Sequence, residues 1–484
     1  MNDYESVIFS ASEETAETLR EACGVFGVSN GDTFDVARLT YFGLYALQHR
    51  GQESCGIAVN NDGDISGHKG MGLVSEVFTE KVLDRLEGKM AIGHTRYSTT
   101  GANSLENAQP LIVNYKAGRL ALAHNGNLVN ASKIRHDLED QGAIFQTATD
   151  SEVIANLISR YGLKYDNLIE VLKRTMDVIQ GSYALVIMTP RRLIGIRDPW
   201  GLRPLCIGKL QNSFILASET CALDAVGASF LRDVAPGEIV IIEDGQLKSV
   251  QTHLNKPHNL CIFEHIYFAR PDSFIDGASI YRSRLEAGRL LAIEHPVEAD
   301  LVVGVPDSGL TAAIGYSRQS GIPYGDALIK NRYVGRTFIQ PHQKMREKSV
   351  NIKLNALRSE IEGKRIVLID DSIVRGTTTK KIVQMLKNAG AKEVHMRISS
   401  PPVKHPCFFG IDIASRDLLI AAHHSVEEIR DIIGADSLGY LSTEHLLQTP
   451  VGAPENSFCR ACFTGQYPMA VPDEGDKFAL DNKC

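Results

Sequence analysis

The sequence predicts two units of different class: an α+β unit built on antiparallel sheets between helices, then an α/β unit built on a parallel sheet. Three observations predict this. Residues 180–250 hold short apolar strands, Tyr183–Met188, Leu193–Arg197, Phe214–Ser218 and Glu238–Glu243, separated by turn signals such as Asp198-Pro-Trp-Gly-Leu-Arg-Pro204 and Pro236-Gly237. From residue 280 to residue 420 strand and helix patterns alternate, as in a doubly wound parallel sheet. Ile366, Val367, Leu368 and Ile369 form a continuous apolar run, as expected of a strand covered on both faces.

The bulk numbers agree with a globular chain of two or three domains: 484 residues, 43% hydrophobic and 23% charged. A net charge of -7 gives no electrostatic case for binding nucleic acid. No apolar run approaches the roughly 18 residues that span a bilayer, so no membrane partner is expected. Residues 1–22 carry Asp3, Glu5, Glu13, Glu14, Glu17 and Glu21 against one base, Arg20. That acidic balance fits neither a secretory signal nor a transit peptide, and a cytoplasmic location follows as the expectation. Nine cysteines in such a chain point to metal or catalytic roles before disulfides.

Taken in order, Cys23-Gly-Val-Phe-Gly-Val28 opens an apolar alternating strand, and a helix follows from Asp35 to Leu47. Four polar strings come next: Gln48-His-Arg-Gly-Gln-Glu-Ser54, Gly93-His-Thr-Arg-Tyr-Ser98, His124-Asn-Gly-Asn-Leu128 and Thr147-Ala-Thr-Asp-Ser151. Each has a bland alternative. A buried cysteine is usually structural, and Asn-Gly usually marks a hairpin turn.

As an ordered set, these strings resemble the N-terminal-nucleophile, class II glutamine amidotransferases. The resemblance implies that Cys23 is the nucleophile and that its own α-amino group is the base. An α-amino group has a pKa near roughly 8, suited to taking a thiol proton. It is free only if residues 1–22 are removed as a propeptide. Glutamine is a zwitterion, so its pocket needs a cation and an anion, and the resemblance assigns these to Arg96 and Asp150. The tetrahedral oxyanion needs preorganised donors, assigned in the same way to the Asn125 side chain and the Gly126 N–H. His49, His94 and His124 invite a Cys–His reading, but structural hydrogen bonding is the stronger expectation for all three.

In the second unit, the apolar strand ends in Asp370 and Asp371, then turns through Ser372, Arg375 and Gly376 into Thr377, Thr378 and a helix to Asn388, closed by Gly390. Ligands of open α/β sheets bind beyond the carboxyl ends of strands, and a helix start attracts phosphate. The alternative is a plain strand–turn–helix with a solvated acidic turn. The full string resembles the phosphoribosyl-pyrophosphate (PRPP) motif of the type I phosphoribosyltransferases. Leu301-Val-Val-Gly-Val-Pro-Asp-Ser-Gly309 repeats the same strand-to-turn design.

Both halves together resemble the glutamine phosphoribosylpyrophosphate amidotransferases over nearly the whole chain after residue 22. That family implies Mg²⁺ at Ser308, Asp370 and Asp371, and a PRPP-ordering region with Lys330, Arg332 and Arg336. It implies glutamine and PRPP as substrates, purine nucleotides as feedback inhibitors and a homotetramer. Expected domains are a propeptide at 1–22, the glutaminase at 23–250, the phosphoribosyltransferase at 251–450 and a tail at 451–484.

The tail carries Cys459-Arg-Ala-Cys462, which alone suits a zinc half-site or a redox pair. The iron–sulfur, propeptide-bearing subgroup of the family places cluster cysteines in the contexts of Cys261, Cys407, Cys459 and Cys462. A 4Fe–4S cluster is therefore the expectation, although four cysteines also suit zinc.

Two rivals remain from the sequence. Another class II amidotransferase is disfavoured by the PRPP string and by the lack of an S-G-G-x-D-S loop. A non-catalytic nucleotide-binding regulator would have no use for Cys23, Arg96, Asn125 and Asp150 together, and a glutaminase assay separates the two.

Overall fold

The structure, a computed structural model, describes residues 23–29, 35–97, 102–331, 354–413, 415–455, 457–472 and 480. The leader 1–22, Arg332, Arg336 and Cys484 lie outside the described residues.

Two antiparallel sheets form the first unit. The seven-stranded sheet runs in the order Ser229–Asp233, Cys206–Leu210, Ser213–Ala217, Gly24–Ser29, Met90–Arg96, Ser54–Asn61 and Asp64–Met71. The six-stranded sheet runs Gln246–Gln251, Glu238–Glu243, Leu193–Arg197, Gly181–Met188, Gly118–Leu128 and Leu111–Tyr115. Their facing sides interlock through Val25, Ile92, Val186, Leu193, Leu216 and Val240. Helix Val36–Ala46 covers the outer face of the first sheet, with Leu44 packed beside Phe26 and Val28. Helices Asp150–Tyr161 and Leu168–Val178 cover the second. This is the expected α+β sandwich.

One expectation needs correcting. The strand Gly24–Ser29 does not alternate; its first five residues are all buried. It is the central strand of its sheet, with a helix on one face and the second sheet on the other, so no position is left for a polar side chain.

The second unit holds a four-stranded sheet in the order Leu301–Gly304, Arg365–Asp370, Glu393–Ile398 and Ser437–Tyr440, parallel throughout. Ile366, Val367, Leu368 and Ile369 are fully buried, as the apolar run requires. Helices Ile280–Glu294 and Gly309–Ser320 contribute to one core, and helices Thr377–Asn388 and Val426–Ile433 to another. The tail returns to the boundary between units, where Phe458–Cys459 pairs in parallel with Leu260–Cys261.

Candidate active sites

Cys23 immediately precedes the central strand and is 6% exposed. Its Sγ lies 3.4 Å from the Tyr97 carbonyl oxygen, just past the end of the neighbouring strand. Burial pushes the thiol pKa above its usual value, and the Arg96 charge offsets this only in part. A base is therefore needed to form the thiolate.

Arg96 and Asp150 are both buried and both lie within electrostatic range of that thiol. Asp150 begins its helix, and its Oδ2 accepts the Leu128 N–H at 3.0 Å. Burial alone would raise its pKa. The His124 ring, 3.4 Å away, and the N–H groups of Leu128 and Ser151 outweigh burial and hold the carboxyl below the usual range. Arg96 and Asp150 thus give the Cys23 neighbourhood one fixed cation and one fixed anion.

Asn125 and Gly126 belong to the facing sheet, within strand Gly118–Leu128, not to a hairpin turn. Asn125 is fully buried, and neither side-chain heteroatom has a hydrogen-bond partner among the described residues. A buried amide left unpaired costs about 1–3 kcal/mol, so it marks a place where a ligand is to be bound. Gly126 has φ +153, and a Cβ there would stand 2.1 Å from the Ser182 carbonyl oxygen, which leaves only glycine. The three histidines are engaged as structural groups: His49 with Glu219, His94 with the His124 carbonyl, and His124 with Ser151 and Asp150.

In the second unit, Asp370 ends its strand and Asp371 follows; both are buried. The Asp371 N–H donates to Asp370 Oδ1 at 2.9 Å, and the Ser372 hydroxyl donates to Asp371 Oδ1 at 2.6 Å. Ser308, at the start of the helix after the adjacent parallel strand, also hydrogen-bonds Asp371. Burial and the Asp371 charge push the Asp370 carboxyl well above its usual range. Two carboxylates and a hydroxyl so placed suit a hard, oxygen-seeking cation. Gly376, at φ +80, caps the helix that starts at Thr377. Ser372, Arg375 and Thr378 are half-buried and Thr377 is exposed around that helix start. Lys330 reaches Asp307 across the same end of the sheet.

The four tail and boundary cysteines converge. Cys261 and Cys459 are direct strand partners. Cys462 lies within electrostatic range of Cys261, Cys407 and Cys459, and its carbonyl accepts the N–H groups of Lys404 and His405 at 2.9 and 3.0 Å. Burial raises the pKa of all four, that of Cys459 to about 12. Among the described residues, no three His, Cys, Asp or Glu side chains form a set that would hold a single metal ion. The cysteine thiols share one neighbourhood, with Cys462 buried and the other three half-buried, without closing on one point.

Sequence reasoning missed five buried charged groups. Arg284, within electrostatic range of Asp371, has its pKa lowered to about 10 by burial. Arg50, Glu219, Arg203 and Glu264 form an ion-pair network between the two units. The signal was a charge set inside an apolar run, as Glu264 is after Ile262 and Phe263.

Comparison with known proteins bears on both halves. Residues 94–225 match the family described as a glutamine amidotransferase domain, and residues 282–399 the family described as a phosphoribosyl transferase domain. An amidophosphoribosyltransferase of Archaeoglobus fulgidus is 54% identical over 93% of this chain and 99% of its own. That of Bacillus subtilis is 52% identical over 94% of this chain and 95% of its own. A solved structure of the B. subtilis glutamine PRPP amidotransferase, complexed with ADP and GMP, superimposes with a TM-score of 0.88 at 50% identity, covering 95% of this chain and 100% of that one.

Proposed function

This chain belongs to the amidophosphoribosyltransferase family, and from that premise we propose how its own residues divide the work. The enzyme hydrolyses glutamine at an N-terminal cysteine and uses the ammonia to displace pyrophosphate from PRPP. The product is 5-phosphoribosylamine, the first step of de novo purine synthesis.

Removal of residues 1–22 would free the Cys23 α-amino group. That amine takes the Sγ proton, and the thiolate attacks the glutamine amide carbon. Arg96 pairs with the substrate carboxylate and Asp150 with its ammonium. The oxyanion is met by the Asn125 amide and the Gly126 N–H. The unpartnered Asn125 amide supports that role. As the tetrahedral adduct collapses, the α-ammonium gives its proton to the amide nitrogen, and the C–N bond breaks to release neutral ammonia. Water then hydrolyses the thioester to glutamate and restores the thiol.

In the second unit, ammonia's lone pair attacks the anomeric carbon as pyrophosphate leaves. Ser372, Arg375, Gly376, Thr377 and Thr378 bind the phosphate of PRPP at the helix start, and the charges of Lys330, Arg332 and Arg336 offset those of the pyrophosphate. Mg²⁺, held by Asp370, Asp371 and Ser308, would supply charge neutralisation for the leaving group. Exclusion of water from this site would keep ammonia neutral and prevent its loss.

Cys261, Cys407, Cys459 and Cys462 hold a 4Fe–4S cluster in this reading; their convergence from three segments supports it. Its contribution is a cross-link, since no electron moves in the reaction. The ADP and GMP in the B. subtilis complex support purine nucleotides as feedback inhibitors here. A homotetramer in the cytoplasm completes the proposal. Among the described residues, no helix is long and apolar enough to cross a membrane.

The observation that carries the reading is the pairing, in one chain, of a buried Cys23 beside Arg96 and Asp150 with a buried acid pair at a parallel strand end. Assaying 5-phosphoribosylamine formation from glutamine and from ammonia on one preparation tests it. Glutamine hydrolysis without any consumption of PRPP from either nitrogen source would sink it.

A further inference from the structure

Arg50 is completely buried, and its three nitrogens serve three partners. Its Nε donates to the Cys23 carbonyl oxygen at 3.1 Å. Its Nη1 donates to Glu219 at 2.5 Å, within the first unit. Nη1 and Nη2 together clasp both oxygens of Glu264, at 2.9 and 2.7 Å. Glu264 belongs to the second unit, in the π-helical turn Glu264–Phe268, and is itself fully buried. Its Oε1 also accepts Arg203 Nη1 at 3.3 Å, and Arg203 Nη2 donates to the Phe409 carbonyl at 2.6 Å. Two carboxylates thus balance two guanidiniums across the boundary, and one hydrogen bond from this group ends on the residue that carries the nucleophile.

We propose that Glu264, supplied by the second unit, is a positioning residue for glutamine hydrolysis: it fixes the Arg50 guanidinium, which fixes the Cys23 carbonyl. The inference rests on the reading of Cys23 as an N-terminal nucleophile. A first residue has a single peptide bond to hold it. Its amine and thiol both hang from the same Cα, and the orientation of both follows from where the carbonyl is held. The strand beyond helps only from Gly24 onward, which pairs with Thr95. The Arg50 hydrogen bond therefore does for Cys23 what a preceding residue does elsewhere in a chain. The bidentate hold of Glu264 restricts the guanidinium plane in a way that one contact from Glu219 cannot. Misplacing a reacting group by about 1 Å costs up to about a hundredfold in rate.

The test uses the processed holoenzyme with Glu264→Gln, which keeps the shape and removes the charge. Glutamine hydrolysis should fall about tenfold to a hundredfold in kcat, with the glutamine KM within about twofold, because Arg96 and Asp150 lie outside the network. Ammonia-dependent synthesis should keep its wild-type rate. The rate of single-site alkylation of Cys23 by a chloroketone analogue of glutamine, followed by intact mass, should fall in parallel. Glu264→Asp keeps the charge with a shorter reach and should show a smaller loss of the same kind. Wild-type kcat in Glu264→Gln, a rise in KM alone, or equal losses of glutamine- and ammonia-dependent synthesis in both variants would overturn the proposal. Intact mass on the same wild-type preparation tests the reading beneath it. A fully active chain that still begins at Met1 removes the N-terminal nucleophile, and the role of Glu264 with it.

Discussion

Cys261 and Cys459 stand opposite each other in a two-residue parallel pairing, fixed by backbone hydrogen bonds from Leu260 to Ser457 and from Ile262 to Cys459. So short a pairing has little stability of its own, so the tail must be held by other contacts as well, among them the burial of Phe458 and Phe463 in the second unit's core. A metal group bound by Cys261, Cys407, Cys459 and Cys462 would add to that hold, and much of its binding free energy would appear as folding free energy.

Protein purified without oxygen should therefore be brown and contain about four iron and four labile sulfide per chain. Cys459→Ser should give poorly folded or insoluble protein, not a soluble enzyme with altered kinetics. Metal and sulfide analysis decides the first point. Colourless, active protein with stoichiometric zinc would reject the iron–sulfur assignment and leave the four-cysteine site standing.

Cys23→Ala should abolish glutamine-dependent synthesis and spare most ammonia-dependent synthesis, because the thiol acts only in releasing ammonia. N-terminal sequencing should find wild-type protein starting at Cys23. An active enzyme that retains residues 1–22 would refute the amine-base mechanism.

Asp370→Asn combined with Asp371→Asn should cut synthesis from both nitrogen sources about a thousandfold, the worth of several kcal/mol of charge stabilisation. The same double variant should unfold at a higher temperature than wild type. Burial raises both carboxyl pKa values, the Asp371 charge raises that of Asp370 further, and removing the charges relieves that conflict. Calorimetry beside the rate assay reads both effects. Unchanged turnover would remove these residues from the site.

Acid should destabilise the fold through two histidines. Burial lowers the His94 pKa to about 3 and that of His265 to about 4. Both stay neutral in the folded state and gain a proton on unfolding at any pH below about 6.5. Their contribution is present above pH 6.5 and is lost as pH falls, at about 1.4 kcal/mol per histidine per pH unit. Asp233 acts in the opposite direction, because burial and the Asp276 charge raise its carboxyl pKa to about 7. The readout is therefore a difference. Between pH 6.5 and 5.5, where the unfolded histidine goes from half to nearly fully protonated, His265→Gln should lose about 1 kcal/mol less stability than wild type in denaturant titrations. Equal losses in both proteins would refute the assignment.

Much of this was legible in the sequence because local chemistry announced it. The parallel strand at Ile366 showed itself by an unbroken apolar run, and the phosphate loop by Gly376 and the threonines. Strands Cys206–Leu210, Ser229–Asp233 and Gln246–Gln251 were not foreseen. They lie towards the sheet edges and expose polar positions, so their patterns are weak. Arg50 was inside a string read from the sequence, yet its pairing with Glu264 was invisible, because it depends on how the two units meet. The same holds for Arg284, which becomes relevant only once the fold brings the helix Ile280–Glu294 within electrostatic range of Asp371.

The pairing of Leu260–Cys261 with Phe458–Cys459 also bears on synthesis at the ribosome. Its partners lie about 200 residues apart, a separation that makes closure slow. The glutaminase sheets and the parallel sheet can assemble while translation continues. The boundary between them cannot be sealed until Phe458 and Cys459 have left the exit tunnel. During that interval Cys261 and Cys407 are on a nascent chain without their partners, so the order of emergence makes the tail the latch that closes over an already assembled core.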